Sequence, residues 1–325
     1  MTVEQLMTPG QPEPTGWQGG ELAATDGLVM LSSNAAEEIL HLAETLAANP
    51  LPVLALDPND FDLPACRAVT AEARVALTEG PGFAIIDRLP LTELSRDGAV
   101  AAYWLMMTAL GRPVAQKWDG RMVYDVADLT GKKPGHGIRP DVTNAEQNFH
   151  TDNSYNVCPP DIVTLLCLQT AKAGGVSSVV SMTRAHDQMR KSHPALLQRL
   201  YQPFYFDRQT EHAPGDTPYI KRPVFALENG RLRTRISRYL IEQGYRLAGE
   251  TLDELGDEAI DRLTGLIDDP AARKDFYFEP GQIQIVDNRR LCHKRSGFED
   301  WPEPARRRHL VRLWLRDKGR PFYNG

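Results

Sequence analysis

The stretch Asn148-Phe149-His150-Thr151-Asp152-Asn153-Ser154 places an imidazole and a carboxylate two residues apart, with no helical periodicity around them. In an extended strand, side chains at i and i+2 leave the same face, so His150 and Asp152 can converge on one point. A neutral imidazole beside a carboxylate is a common ligand pair for a divalent transition metal. The pair alone carries little weight. With 8 His and 43 Asp plus Glu in 325 residues, chance supplies about one such spacing. A metal site therefore needs a third ligand from elsewhere. His293 suits best, because it sits where a strand leaves the turn at Asn288-Arg289. His186 and His193 fall on a helical pattern, His212 in a Pro/Gly loop, His136 in a polar middle stretch and His41 on an early helix. His309 has the opposite strand parity to Arg308 and Arg312.

Two imidazoles and one carboxylate leave three positions open on a metal, the arrangement used by non-haem Fe(II) oxygenases. Such iron needs a reductant bound beside it, and the usual one is a keto acid with two carboxylates. The far carboxylate calls for an arginine. In the strand pattern Arg308–Arg316, Arg308 and Arg312 share a face with Leu310 and Trp314. An arginine pointing into a barrel is costly unless paired. A guanidinium fork matches a carboxylate, so capture of a ligand would offset that cost. The competing reading is an ion pair with an internal Asp or Glu. Four strand residues span about 13 Å at roughly 3.3 Å each, so the two arginines should not grip one carboxylate.

The elements that must position these residues are legible in outline. Residues 1–20, rich in Pro, Gly, Gln and Thr, read as a flexible N-terminal arm, and 21–325 as a single domain. Helical periodicity covers about 35–48 with Ser33 as cap, 63–78, 92–110, 184–200 and 253–268. Short strands are expected at 83–86, 122–126, 162–168, 176–181, 282–287 and 308–316. Residues 127–147 lack periodicity and read as a functional loop or lid, and 203–245 as strands and loops. Early helices followed by many short strands imply an α+β domain with a mainly β core, a sandwich or barrel.

Composition narrows the function. Hydrophobic residues make up 42% and charged residues 25%, as in a soluble globular protein. A formal charge of −6 argues against a nucleic-acid partner, although arginines crowd the last 40 residues and suit small anionic ligands. Cys66, Cys158, Cys167 and Cys292 have no metal-type spacing and read as buried thiols in a reducing compartment. No signal peptide pattern and no stretch of about 20 apolar residues is present, so the expected location is cytoplasmic. A small-molecule substrate is expected, without nucleic acid or membrane as partner and with a homo-oligomer left open.

His150-Thr151-Asp152, Gly174-Gly175-Val176-Ser177, Asp287-Asn288-Arg289-Arg290-Leu291-Cys292-His293-Lys294-Arg295 and Arg308-His309-Leu310-Val311-Arg312 occur in that order. Together they resemble the taurine dioxygenase/clavaminate synthase superfamily, from about Gly82 to Trp314. The resemblance implies a double-stranded β-helix (jelly roll) with flanking helices, and oxidation by O2 with Fe(II) and 2-oxoglutarate, releasing succinate and CO2. By position it assigns iron to His150, Asp152 and His293. It gives the far carboxylate of 2-oxoglutarate to Arg308 and the hydroxyl of Ser177, where relatives usually carry threonine. Arg312 matches an arginine that contacts an anionic substrate in some members. Chlorinating relatives have a small residue at the place of Asp152, so hydroxylation or another oxidation is expected, on a small anionic or amino-acid-like molecule. Two other readings stand beside this one. A zinc hydrolase would need a general base beside the triad, and the sequence has no H-E-x-x-H helix; a non-catalytic jelly-roll binding protein would need no triad at all.

Overall fold

A computed structural model of the chain describes residues 16–128 and 140–324. Two sheets form its β core. The larger runs, in spatial order, Leu28–Met30, Phe83–Asp87, Ile283–Asp287, Ile162–Gln169, His309–Arg316 and Arg112–Val114, with Tyr124–Val126 also paired to His309–Arg316. Its neighbours are antiparallel apart from the first pair. The smaller sheet runs Arg273–Phe276, Ser177–Ser181, Leu291–Arg295 and Gln147–His150, antiparallel throughout. This is the expected double-stranded β-helix with flanking helices.

Strand parity decides what faces the site. Val311, Leu313 and Leu315 turn outward and join Leu166, Ile283 and Ile285 in a core shared with three helices, Ser33–Ala48, Pro64–Thr78 and Arg96–Leu110. The alternate residues, Leu310, Arg312 and Trp314, belong to the opposite face, as a period of two requires. Arg96–Leu110 is buried along most of its length, and its Tyr103 hydroxyl shares a 2.5 Å hydrogen bond with Thr164 on the sheet. A second core joins helices Met182–Ser192, Pro194–Leu200, Arg238–Ala248 and Glu254–Asp268 to Phe149, Val180 and Cys292, on the face of the smaller sheet opposite His150 and His293. Among the described residues no helix is long and apolar enough to cross a membrane.

Several expectations shift. Ser32, not Ser33, caps the first helix, accepting from the Ala35 N–H at 3.2 Å. The helix read from 92 begins at Arg96, with Ser95 as its cap. The pattern at 184–200 is two helices, because Pro194 lacks an N–H and forces His193 out of the helical region, to φ −141 and ψ 58. Within 203–245, read as strands and loops, the helix Arg238–Ala248 begins after its cap Ser237. Its Gly244 obscured the helical pattern, but it is where the helix meets the strand Phe204–Asp207: a Cβ there would lie 2.5 Å from the Tyr205 carbonyl carbon. Residues 16–19, assigned to a loose arm, are packed. Trp17 is buried, donates to the Pro81 carbonyl at 2.8 Å and meets Phe83 edge-on, while the Gly19 N–H donates to Ala271 O at 3.1 Å. Residues 1–15 of that arm, His136 and most of the lid region lie outside the described residues.

His186, on Met182–Ser192, is buried against Tyr201 and Phe225, with its Nε2 2.9 Å from the Tyr201 hydroxyl. Burial strips solvation from the imidazolium and draws its pKa down to about 4. An unfolded chain takes up this proton near pH 6.5, so stability must fall as pH drops from about 6.5 towards 4, by up to about 3 kcal/mol. Urea unfolding should show the wild type losing about 2 kcal/mol more than His186→Gln between pH 7 and pH 5. Equal losses would disprove the assignment.

Candidate metal centre and cosubstrate pocket

The strand Gln147–His150 ends at His150, so Asp152 reaches it through a turn and not through the pleat of a continuing strand. The turn is built by Thr151, whose N–H donates to Ile236 O at 2.9 Å while its hydroxyl accepts the Ile236 N–H at 3.1 Å. Asn288 then fixes Asp152 itself. Its Oδ1 accepts the Asp152 N–H at 2.8 Å, and its Nδ2 donates to the carbonyls of Asp152 and Pro160 at 3.0 and 3.1 Å. His293, on Leu291–Arg295, lies directly opposite His150 in the antiparallel register. The two rings are 4.5 Å apart between centroids.

Asp152 Oδ1 lies 3.2 Å from His150 Nε2 and 3.4 Å from His293 Nε2, and the three ligand atoms are all within 4.8 Å of one another. Two ligands about 2.1 Å from one metal and at right angles stand about 3 Å apart, so these separations suit a single ion. The tautomer agrees. His150 Nδ1 donates to Asn148 O at 2.8 Å, which leaves the Nε2 lone pair aimed at the carboxylate. Burial, then the neighbouring His150, lower the pKa of His293 and keep it neutral, the form that binds metal. Burial alone would raise the Asp152 carboxyl, yet the Arg312 charge beside it holds it well below the usual carboxylate range. A carboxylate and two imidazole lone pairs at these distances repel one another unless a cation lies between them.

The two arginines serve different spaces. Arg312 lines a cavity of about 640 Å³ together with His150, Asp152, Asn153 and Trp314. Its guanidinium is engaged by the chain itself: Nε donates to Gln116 at 2.8 Å, Nη2 meets Asp141 at 3.1 Å and Nη1 lies 3.4 Å from Asp152 Oδ2. Arg312 thus has two carboxylates, Asp141 and Asp152, within the protein itself. Arg308 instead lines a separate space of about 250 Å³ with Cys167, Gly175, Phe278 and Leu310. It is buried, its Nη1 has no hydrogen-bond partner among the described residues, and burial draws its pKa down to about 10. Gly175, at φ 70, makes room for it, since a Cβ there would stand 3.2 Å from Arg308 Nε. An unsatisfied buried guanidinium is the complement of a carboxylate. Ser177 lies opposite Arg295 in the smaller sheet, and its hydroxyl donates to Gln284 at 3.1 Å.

Gln116, Asp141 and Asn288 were not singled out from sequence as partners of the site. Each acts across more than a hundred residues of chain, and only Asn288 sits inside a motif that could have marked it.

A jelly roll that brings two imidazoles and a carboxylate together is the scaffold of the non-haem Fe(II)- and 2-oxoglutarate-dependent oxygenases, and this chain is an enzyme of that class. It belongs to the taurine catabolism dioxygenase TauD, TfdA family, whose model matches residues 45–314. FR-33289 synthase of Streptomyces rubellomurinus is 28% identical over 312 residues, covering 94% of this chain and 90% of that one. Among solved structures, asparagine oxygenase with Fe(II), 3-hydroxyasparagine and succinate has a TM-score of 0.65 at 22% identity, over 90% of this chain and 94% of that one. The iron oxygenase OrfP with Fe and α-ketoglutaric acid has a TM-score of 0.64 at 17% identity, with the same coverage.

Asn288→Ala would leave the Asp152 N–H and the Asp152 and Pro160 carbonyls buried without partners. Stability should fall by about 2–4 kcal/mol in urea unfolding, and Fe(II) affinity should fall with it. A loss below about 0.5 kcal/mol would show that the amide does not hold the ligand turn.

Proposed function

We propose that His150, Asp152 and His293 hold one Fe(II), that Arg308 receives the far carboxylate of 2-oxoglutarate with help from Ser177, and that the enzyme hydroxylates a C–H bond of a small amino-acid-like molecule. The convergence of both Nε2 atoms on Asp152 Oδ1 carries this reading. When bound, iron and 2-oxoglutarate would supply the oxidising power, with O2 as oxidant and succinate and CO2 as by-products. The chain's own part is to bind, orient and exclude water. The Nδ1–H bond of His150 to Asn148 O aims its Nε2 at the site, and the lowered pKa of His293 favours its neutral, metal-binding form. The larger cavity, about 640 Å³, has the size of a small-molecule site, and Asn148, Asn153 and Arg312 give its wall polar character near the triad. The amino-acid ligand of the asparagine oxygenase structure supports an amino-acid-like substrate. The carboxylate of Asp152 fills the place that chlorinating relatives leave to halide, which favours hydroxylation.

The decisive test is anaerobic titration with Fe(II) and 2-oxoglutarate, followed by a screen of amino acids for substrate-dependent succinate release. A chain that binds neither component would overturn the assignment. Within it, Arg308→Ala should raise the 2-oxoglutarate dissociation constant by about 30-fold or more, from the roughly 2–5 kcal/mol carried by a buried charged pair, with iron affinity nearly unchanged. Charge-transfer absorbance of the iron–cosubstrate complex reads this directly. Unchanged cosubstrate affinity would move the far carboxylate away from Arg308.

A further inference from the structure

The two oxygens of Asp152 are treated differently by the protein. Oδ1 faces both imidazole Nε2 atoms, at 3.2 and 3.4 Å. Oδ2 accepts the indole N–H of Trp314 at 2.7 Å and has Arg312 Nη1 at 3.4 Å. Trp314 is 2% exposed, and its strand pairs with Val114 on one side and Val163 on the other, so the ring has little freedom. Arg312 is held in turn, its guanidinium 4.9 Å from the Tyr124 ring centre and 5.0 Å from that of Trp314. An indole is a donor only, so the bond to Oδ2 has a single sense.

We propose that Trp314 is a positioning residue for the metal centre, whose N–H keeps Oδ2 occupied so that Asp152 ligates through Oδ1 alone. A carboxylate free to rotate can offer both oxygens to one cation and take up a position that the cosubstrate needs. Here rotation would break a short hydrogen bond in a buried setting, where an unmade bond is costly. Trp314 thereby keeps coordination positions open without touching them. Arg312 adds charge to the same oxygen, which ties the order of its own cavity wall to the orientation of the ligand. The inference rests on the assignment of Asp152 as a metal ligand.

The test uses the full chain, anaerobic Fe(II) titration and then 2-oxoglutarate titration of the iron-loaded protein. Trp314→Phe keeps an aromatic ring and removes the donor. Iron affinity should fall about tenfold, the usual lower bound for loss of a partner behind a metal ligand. Cosubstrate affinity and the charge-transfer band should also weaken, although Arg308 is intact. Trp314→His makes a larger packing defect but restores a ring N–H, so it should recover part of the iron affinity. A Phe variant with wild-type binding constants overturns the proposal, as does a His variant that binds no better than Phe. If Phe does not fold, as judged by thermal melting, the His variant still decides: near-wild-type binding supports the donor, and loss as large as in Asp152→Ala overturns it. Asp152→Ala separates the two levels. If it bound iron like the wild type, the ligand assignment itself would fail; if it lost iron while Trp314→Phe did not, only the role of Trp314 would.

Discussion

Everything near the centre depends on keeping Asp152 ionised while it is buried. An ionised carboxylate withdrawn from water is strongly disfavoured unless opposite charge and hydrogen bonds replace its hydration. Here the hydrogen bond and the opposite charge come from Trp314 and Arg312 on the last strand, while His150 and His293, from two neighbouring strands, face the other oxygen and Asn288, from the turn that leads to His293, holds the Asp152 backbone. No local stretch can gather them. The jelly roll can, because it sets Gln147–His150 beside Leu291–Arg295 in one sheet and brings His309–Arg316 across from them in the other.

The last strand shows how a period of two connects folding to chemistry. Its outward residues, Val311, Leu313 and Leu315, bury against the helices and anchor the strand in the larger sheet, between Ile162–Gln169 and the edge strands Arg112–Val114 and Tyr124–Val126. Its inward residues, Arg312 and Trp314, could not be buried without partners, and those partners are the site. A slip of one residue would put both polar groups into the helical core. The hydrophobic face therefore guards the register of the functional face.

That His150, Asp152 and His293 lie together was legible in the sequence from ligand types and the order of the motifs, which are local properties. Most helix ends were legible to within a few residues, but the break at Pro194, the cap at Ser95 and the whole helix Arg238–Ala248 were not. What else escaped was tertiary. Trp17 looks like part of a polar tail until Phe83 and Pro81 are seen to receive it. The convergence of His150 and Asp152 was expected from a continuous strand, whereas the chain turns after His150 and Asn288 holds the turn. Asp141 and Gln116 carry no motif, and their value appears only when Arg312 is found between them.

The contrast between the two arginines follows from the same electrostatics. Arg312 already has carboxylate partners, so its order does not wait on a ligand. Arg308 is buried with Nη1 unpartnered, and no carboxylate is paired with its guanidinium among the described residues. A protein bears the penalty of such a group when something else relieves it, and a far carboxylate of the cosubstrate would do so with charge-assisted hydrogen bonds. Free energy withheld from the empty protein in this way becomes binding energy for the ligand. Burial of Arg308 thus favours capture of one anion in a fixed orientation, whereas the pairing of Arg312 favours a rigid ligand carboxylate whether or not substrate is present.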